Sequence, residues 1–396
     1  MKKQFLRRCV LASSCLISIA ISPAVFGQGA LTPPGAPAPT MKTLTQVEPR
    51  TPISSAPYTI SSRGSYYLTT NLVGMSGNNG ITINSSHVVL DMAGFALTGV
   101  SGSSYGIYIP STCTNIIVRN GSISGWGVSG VYSTGQGVLL EQLHASGNTS
   151  YGLGTSSGST VRDCTSVLNG SFGIYASDSV VTGCAASGNV NYGINAIYST
   201  VANCQADGNT STGIHAYYST VANCQVRSNG YYGVWAEHST VRGCLCYTNG
   251  ACGILSYWSS LLNCEVQYNA AQGIYAEYTT VSDCHLGFNG MSGIDVEYPG
   301  CQITGNTSYN DNTSANASHA GIYVNANNNR IEGNHVVGSG HAGIQVAGAS
   351  SGNVVIRNTV SGSGSNYITN STSAFGRIIT ASGTITNANP WANFSY

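Results

Sequence analysis

Short runs of alternating apolar and polar residues recur along most of this chain of 396 residues. Within residues 169–188, three such runs lie at 173–176, 179–181 and 184–186. A period of two residues is typical of β-strands, because successive side chains point to opposite faces. No window of ten residues shows the spacing of an amphipathic helix. The pattern therefore predicts three short strands, separated by turns, in a unit of twenty residues.

This unit repeats at a fixed interval. Three residue types keep a spacing of twenty over seven units, in columns that run from Cys164 to Cys284, Asn169 to Asn289 and Gly173 to Gly293. Gly–aliphatic pairs extend the series at intervals of 20–28 residues and give thirteen coils in all. Such a period indicates stacked repeats that bury apolar side chains against their neighbours. The predicted fold class is therefore all-β, a solenoid of about thirteen coils with three short strands each.

Alternation also predicts which positions face the inside of the solenoid. Nearly constant columns are expected to point inward, and they begin at Ile174, Ala176, Val181, Cys184 and Ala186. The Asn column is expected to turn inward at a corner, where stacked amides hydrogen-bond along the axis. Columns that begin at Tyr175, Ser177 and Asp178 vary freely and are expected to point outward.

The cysteine column has three possible explanations. Eleven cysteines remain after residue 27. Stacked side chains that point the same way would have to twist out of register to form disulfides, and no Cys-x-x-Cys pair indicates a zinc site. We therefore expect free, buried thiols, with Cys246 in an inward column and Cys252 exposed at a corner.

Aromatic residues are concentrated in adjacent outward columns, one from Asp178 to Tyr298 and one from Tyr175 to Asp295. Tyr and Trp present flat apolar area with a polar edge, which suits sugar rings. The residues predicted to bind carbohydrate in this aromatic strip are Tyr218, Trp235, Tyr257, Trp258, Tyr278 and Tyr298. The plainer interpretation is that stacked rings stabilise neighbouring strands.

Three acidic residues are predicted to lie together on the same side. Glu277 and Glu297 share a column on consecutive coils, and Asp295 lies two residues before Glu297. Carboxyl groups about 5–8 Å apart can act as acid and base, or as acid and nucleophile. All three are therefore candidate catalytic residues, with His215 on the same face and Arg242 as a solitary candidate base nearby. The preferred interpretation is a solvated acidic patch.

Composition excludes several function classes. Only 7% of the residues are charged, the formal net charge is zero, and Lys42 is the one lysine after the first residues. A nucleic-acid partner would need a basic stripe, which is absent. The sequence also lacks phosphate-loop, nucleotide-binding and Ser–His–Asp signatures. We therefore expect no nucleic-acid partner, no cofactor and no metal site.

The N-terminus indicates export. Four basic residues precede an apolar stretch at residues 10–25, which is typical of a secretory signal peptide, by either the general or the twin-arginine route. The predicted organisation is a signal peptide at 1–27, a Pro-rich extended segment at 28–57, a β-helix at 58–370 and a C-terminal cap at 371–396. No second apolar span follows, so the mature chain is expected in the periplasm, at the cell surface or outside the cell.

Particular motifs point to a known superfamily. Repeated Asn-x-x-x-Gly-Ile-x-Ala units, with Gly-Ser-Tyr-Tyr-Leu at 64–68 and Val-Val-Leu-Asp-Met-Ala-Gly-Phe at 88–95, resemble the right-handed parallel β-helix, or pectin-lyase-like, superfamily. Both chain ends resemble those of exported bacterial β-helix repeat proteins. The resemblance implies a right-handed parallel β-helix. The Asn-Thr-Asp, Asp-Asp, His-Gly and Arg-Ile-Lys blocks of polygalacturonases and the calcium-binding Asp set of pectate lyases are absent.

Three functions stay open at this point. The preferred one is an exported, non-catalytic repeat protein whose partner is an extracellular polysaccharide bound by the aromatic strip. The alternative is a polysaccharide lyase or glycoside hydrolase that uses Asp295, Glu297 and Glu277. The longest insertion, residues 304–319, follows these acids and favours the enzyme. The third is a purely structural adhesin or coat component.

Overall fold

The computed structural model of the protein describes residues 48–380, 383–385 and 387–396. The predicted signal peptide and most of the Pro-rich segment lie outside these residues. The chain divides into two units, Met1–Pro49 and Arg50–Tyr396, and nearly all described residues belong to the second. In the described part of the chain, all regular structure is β-strand, as predicted.

Each coil places one strand on each of three faces, and the strands pair in parallel with their equivalents in neighbouring coils. Face 1 is a sheet of fifteen strands. Its strands are Tyr58–Ile60, Ile81–Ile83, Ile107–Ile109, Val131–Ser133, Leu153–Thr155, Ile174–Ser177, Ile194–Ile197, Ile214–Tyr217, Val234–Glu237, Ile254–Tyr257, Ile274–Glu277, Ile294–Val296, Ala320–Val324, Ala342–Val346 and Ser365–Ile368. The predicted number of thirteen coils is therefore too low, because the first and last of these strands do not follow a Gly–aliphatic pair.

Faces 2 and 3 form one sheet of thirty strands, because two long strands, Thr114–Ser124 and Gln136–Ser146, run through the corner between them. The other strands of face 2 are Thr51–Ile53, Gly64–Leu68, Val88–Asp91, Thr160–Arg162, Val180–Thr182, Thr200–Ala202, Thr220–Ala222, Thr240–Arg242, Ser260–Leu262, Thr280–Ser282, Gln302–Thr304, Arg330–Glu332, Val354–Ile356 and Ala374–Phe375. Those of face 3 are Leu72–Val73, Ala96–Thr98, Thr165–Val167, Ala185–Ser187, Gln205–Asp207, Gln225–Arg227, Leu245–Tyr247, Glu265–Gln267, His285–Gly287, Thr307–Tyr309, His335–Val337, Thr359–Ser361, Ile378–Thr380 and Asn393–Ser395.

The register confirms the predicted inward columns. Ile174 pairs with Ile194, and Val181 pairs with Val201, so equivalent residues of successive coils lie directly over one another. The side chains in these columns are fully buried. Burying an aliphatic side chain of this size contributes about 1.5–3 kcal/mol, and the neighbouring coils supply the apolar surface that covers it.

The Asn ladder is confirmed at the corner between faces 3 and 1. Asn169 Nδ2 and the backbone N–H of Asn169 both donate to Asn189 Oδ1, each at 3.0 Å. The same pattern continues to Asn289, which donates to Asp311 Oδ1. The Gly column sits beside this ladder because a Cβ on Gly173 would lie 2.5 Å from Asn189 Nδ2.

The other two corners carry ladders as well. The cysteine column follows the corner between faces 2 and 3, and all eleven cysteines of the described residues are free and buried, as predicted. The prediction was wrong only in the exposure of Cys252, which was expected to be exposed at a corner. Cys252 is only 6% exposed, because Gln272 of the next coil lies over it with Oε1 3.2 Å from its sulfur. A Ser column that the sequence analysis did not recognise lines the third corner, where the N–H of Ser179 donates to Ser199 Oγ at 3.0 Å.

The chain ends also join the sheets. Thr51–Ile53, within the segment predicted to be extended, pairs with Tyr66–Leu68. Near the C-terminus, Asn393–Ser395 pairs with Ile378–Thr380, and Asn393 Oδ1 accepts from Asn358 Nδ2 at 3.2 Å. The capping role of residues 371–396 stays a prediction. None of the described segments forms a helix suited by length and apolarity to span a bilayer.

Candidate functional site

Face 1 carries a groove on its outer side. Its floor is the outward column that includes Tyr175, His215, Trp235 and Tyr275, and its rim is the column at the corner between faces 3 and 1. Rim residues are large in many coils, namely Tyr105, Tyr151, Phe172, Tyr192 and Tyr232. Rim and floor rings contact each other, with centroids 5.5 Å apart for Tyr151 and Tyr175. Side chains on the floor are therefore half-buried although they point away from the core.

The groove contains a hollow of about 440 Å³. Its lining includes Tyr231, Tyr232, Leu255, Tyr257, Gln272 and Tyr275. A smaller hollow of about 180 Å³ lies towards the N-terminal end, between Tyr105, Tyr132 and Tyr151. Both hollows are lined by tyrosine rings, and the groove can therefore contact an extended ligand at two places along its length.

The predicted acids lie at the C-terminal side of the larger hollow. Asp295 is 2% exposed, and its Oδ2 accepts a hydrogen bond from Gln272 Nε2 at 3.1 Å. His319 Nδ1 lies 3.8 Å from the same oxygen, whereas Oδ1 has no hydrogen-bond partner among the described residues. Burial, together with the carboxyl of Glu297, raises the pKa of Asp295 to about 8, although the hydrogen bond from Gln272 opposes this shift. Asp295 is therefore largely protonated at neutral pH.

The other two acids differ in exposure. Glu277 is 8% exposed, and burial raises the pKa of its carboxyl, an effect that the hydroxyl of Tyr275 opposes and the charge of Glu297 reinforces. Glu297 is half-exposed and accepts a hydrogen bond from Asn325 Nδ2 at 2.9 Å. The structure thus brings the three acids together, but the expectation of a solvated acidic patch is wrong. Asp295 is covered by Gln272 of the rim and His319 of the insertion, and Glu277 is nearly buried as well.

His319 is the site residue that the sequence analysis missed. It ends the insertion at residues 304–319, and its Nδ1 lies 3.3 Å from Ser292 Oγ. Burial lowers the pKa of His319, and the charge of Glu297 opposes this shift. The only feature of the sequence that indicated a role for His319 was the position of this insertion, directly after the acids. A neutral imidazole beside a protonated carboxyl and a half-exposed carboxylate can exchange protons with a bound ligand.

The predicted aromatic strip is two separate features. Tyr218, Trp258, Tyr278 and Tyr298 lie at the corner between faces 1 and 2, in an exposed column that also contains Tyr198 and His238. We call this column the edge stack. From Tyr198 to Tyr278 the neighbouring rings are 4.5–5.3 Å apart with planes within 16°. The ring faces therefore cover one another, and mainly ring edges meet the solvent.

Trp235 and Tyr257 belong to the groove instead. The Trp235 ring lies 4.7 Å from that of His215, and its Nε1 is buried without a hydrogen-bond partner among the described residues. Tyr257 lines the larger hollow. Burial lowers the pKa of His215 to about 4, so its ring is neutral at pH 7 and lies 3.0 Å from Asn195 Oδ1. Arg242, expected near this face, lies on face 2 and contributes no base to the groove.

Comparison with known proteins concerns the fold. The model of a family described as right handed beta helix region matches residues 59–200, 198–280, 220–360 and 258–388. No curated protein sequence matches the chain. The A-module of a mannuronan C-5 epimerase from Azotobacter vinelandii is similar at 16% identity, over 85% of this chain and 91% of that one, with a TM-score of 0.45. The Dettilon tailspike protein is similar at 14% identity, over 81% and 61%, with a TM-score of 0.32. At these TM-scores the solved structures carry no argument about the site.

Proposed function

The chain belongs to the right-handed β-helix family, and from this premise we propose that it is an exported protein that binds a polysaccharide in the face-1 groove. The single observation that carries the proposal is the tyrosine-lined hollow of about 440 Å³ on the groove floor. Concave sites with apolar and aromatic linings and a few polar groups are where ligands bind. Export rests on the predicted signal peptide.

The groove is better suited to sugars than the edge stack is. A sugar ring packs on the face of an aromatic ring, and the edge stack covers these faces within its own column. At the larger hollow, Leu255 separates the floor rings of Trp235 and Tyr275, and the rings of Tyr231 and Tyr232 are tilted by 58° rather than stacked. Trp235 and Tyr257 are therefore proposed to contact the glycan, whereas the predicted binding residues of the edge stack are proposed to hold successive coils together.

The length of the groove fits a chain-like ligand. Tyr132 and Tyr275 belong to the two hollows and are seven coils apart. At a spacing of about 4.8 Å between strands, this corresponds to about 35 Å, the length of several sugar units. A ligand that occupies both hollows would gain affinity with length, since each added contact contributes to the same binding event.

Glycan binding before and after alanine substitution tests this proposal. The Tyr257→Ala and Trp235→Ala variants are expected to weaken binding by about tenfold or more each, because they remove ring area from the groove. Trp258→Ala is the matched control, since it removes an exposed ring from the edge stack one residue away from Tyr257. Loss of binding in Trp258→Ala with full binding in the two groove variants would contradict the proposal.

A second candidate function is a carbohydrate-active enzyme, and Asp295 is the specific observation that favours it. A carboxyl that stays protonated near pH 7 beside a carboxylate is the arrangement needed for a proton donor and a base or nucleophile. In this function Glu297 and His319 would face the substrate, with Asp295 and Glu277 behind them.

Polysaccharide cleavage assays separate the two functions. New reducing ends would indicate hydrolysis, and unsaturated ends would indicate elimination. Glu297→Gln should lower turnover by about 100-fold or more while leaving the binding of uncharged glycans intact. If no cleavage is found for any polysaccharide that binds, the enzyme is excluded and the non-catalytic function stands.

A further inference from the structure

Charge is distributed unevenly around the solenoid. Residues 105–323, all of which the structure describes, contain four arginines and no lysine, and the arginines Arg119, Arg162, Arg227 and Arg242 lie on faces 2 and 3. The outward columns of face 1 instead carry Glu237, Glu277, Asp295 and Glu297. The groove therefore has acidic side chains without a permanent cation on the same face.

Several acids on faces 2 and 3 are paired with arginines of neighbouring coils. Arg162 lies over Glu141 with an N–O distance of 2.7 Å, and Arg227 lies over Asp207 at 2.6 Å. Apart from the contact between the carboxyls of Asp295 and Glu297, the groove acids contact neutral groups, such as Gln272, Asn325 and the hydroxyl of Tyr275. His319 is the one basic side chain beside them, and its lowered pKa leaves it neutral at pH 7.

This arrangement leaves hydrogen-bonding capacity unused. Asp295 Oδ1 is buried and has no partner among the described residues, although buried polar atoms nearly always have one. Glu277 is also nearly buried, and the charge of Glu297 raises the pKa of both Glu277 and Asp295. Ionising all three carboxyls together is therefore unfavourable without a cation. A positively charged donor placed between the three groups would satisfy the free acceptor and remove the repulsion.

We propose that the acidic end of the groove binds an ammonium group of the ligand, so that the polysaccharide is one with free amino groups, a polymer that contains unacetylated hexosamine. The inference rests on the proposed function, since it concerns the same groove. An ammonium group has three N–H donors, which matches Glu277, Asp295 and Glu297 as three acceptors. The aromatic lining of the adjacent hollow packs against the neighbouring sugar rings.

Two other charged ligands fit less well. A polyuronate or a sulfated glycan would place anions beside unpaired carboxyls, and like charges in contact are repelled. A metal ion would need several converging ligands, and within the described chain no group of three or more His, Cys, Asp or Glu side chains is arranged to hold one. An organic ammonium needs acceptors on one side only, because its other side is bonded to the sugar.

Three soluble polymers of similar length test the inference by calorimetry. One is a hexosamine polymer with free amines, the second is the same polymer with its amines acetylated, and the third is a polyuronate. We expect the free-amine polymer to bind at least about tenfold more tightly than the acetylated one, since hydrogen bonds between charged groups have this strength. This preference should shrink as salt is added. The polyuronate should not bind.

The double variant Glu277→Gln/Glu297→Gln keeps the shape of the site and removes two charges. We expect this variant to bind both hexosamine polymers with the same affinity. That affinity should equal the affinity of the wild-type protein for the acetylated polymer. Glu265→Gln is the matched control, because Glu265 is an exposed acid on face 3. Its preference for the free-amine polymer should equal that of the wild type.

The outcomes separate the inference from the proposed function. Equal binding of the two hexosamine polymers by the wild-type protein, tighter binding of the polyuronate, or an unchanged preference in the double variant overturns the inference and leaves glycan binding in place. Failure of every glycan in a broad panel to bind overturns both. The comparison within the wild type needs no variant, so a variant that does not fold cannot obscure the result.

Discussion

Face 1 and the other two faces share one scaffold and differ in what they carry on the outside. All three have inward columns of a single residue type and ladders at their corners. On faces 2 and 3, outward acids such as Glu141 and Asp207 pair with arginines of the next coil. On face 1, large rings are half-buried and the acids have no arginine. The difference lies entirely in residues that the core does not constrain.

The corners explain how one face acquired a groove. Between faces 2 and 3, the residue before each cysteine is small or polar, as at Gly183, Asn203 and Asn223. Between faces 3 and 1, the rim carries large side chains such as Phe172 and Tyr192, which stand beside the floor. A solenoid thus gains a groove on one face through its corner residues, without any change in its coils.

The largest effect is expected from a charge in the shared core. Ile214→Asp on face 1 and Val221→Asp on face 2 each bury an unpaired carboxylate in a fully buried column, and each should cost more than about 4 kcal/mol of unfolding free energy. Chemical denaturation measures this, and Gln225→Asp on the surface of face 3 is the control. A much smaller effect on face 1 than on face 2 would show that the two faces do not share one core.

This core is the part of the molecule that the sequence predicted well, because each inward column repeats one residue type at a fixed spacing. The site was predicted only in outline. Asp295 and Glu277 were placed on the correct face, but the burial of Asp295 involves Gln272 and His319, which occupy columns without a repeated residue type. The aromatic strip was predicted as one surface and is two, because residues such as Tyr218 adopt left-handed corner conformations, φ 48°, that turn their rings away from the groove.

The second prediction concerns the pH dependence that the acids give to face 1. The pKa of Asp295 is raised to about 8 in the folded protein. The contribution of this carboxyl to stability is therefore complete below the pKa that it has in the unfolded chain, and it is lost as pH rises towards 8. Asp295→Asn should therefore be more stable than the wild type by several kcal/mol at pH 9 and similar to it at pH 4, since each unit of pKa difference is worth about 1.4 kcal/mol.

Denaturation curves of both proteins at several pH values measure this difference. The pKa of His215 is lowered to about 4, so its contribution to stability increases as pH rises, opposite to that of Asp295. This contribution is the same in both proteins and cancels in the difference between them. Asp311→Asn is a useful companion, because Asp311 is buried in the Asn ladder with a pKa raised to about 6. A stability difference between Asp295→Asn and the wild type that is independent of pH would contradict the assigned protonation.

A smaller effect is expected in the Asn ladder, which both faces 1 and 3 share. Asn229 Nδ2 donates to Asn249 Oδ1 at 3.0 Å and to the carbonyl of Ala206 at 3.0 Å. Asn229→Ala removes both hydrogen bonds and the acceptor of the Asn209 backbone N–H, and should cost about 2–3 kcal/mol. Thermal denaturation measures it, with Gln225→Ala as an exposed control. A cost equal to that of the control would mean that the ladder contributes nothing to stability.

The smallest effect should appear in the edge stack, where ring stacking and backbone strain oppose each other. Trp258 has φ 46° and lies between His238 and Tyr278 at 5.1 Å from each ring. Trp258→Ala loses both ring contacts, each worth about 0.5–1.5 kcal/mol, and keeps the strained backbone. Trp258→Gly loses the same contacts and relieves a strain of about 1–2 kcal/mol. We therefore expect the Gly variant to be about 1 kcal/mol more stable than the Ala variant, the reverse of the usual order within strands.

Both variants should bind glycan as the wild type does, because the edge stack lies outside the groove. An Ala variant that melts above the Gly variant would show that this corner is not held in the left-handed conformation.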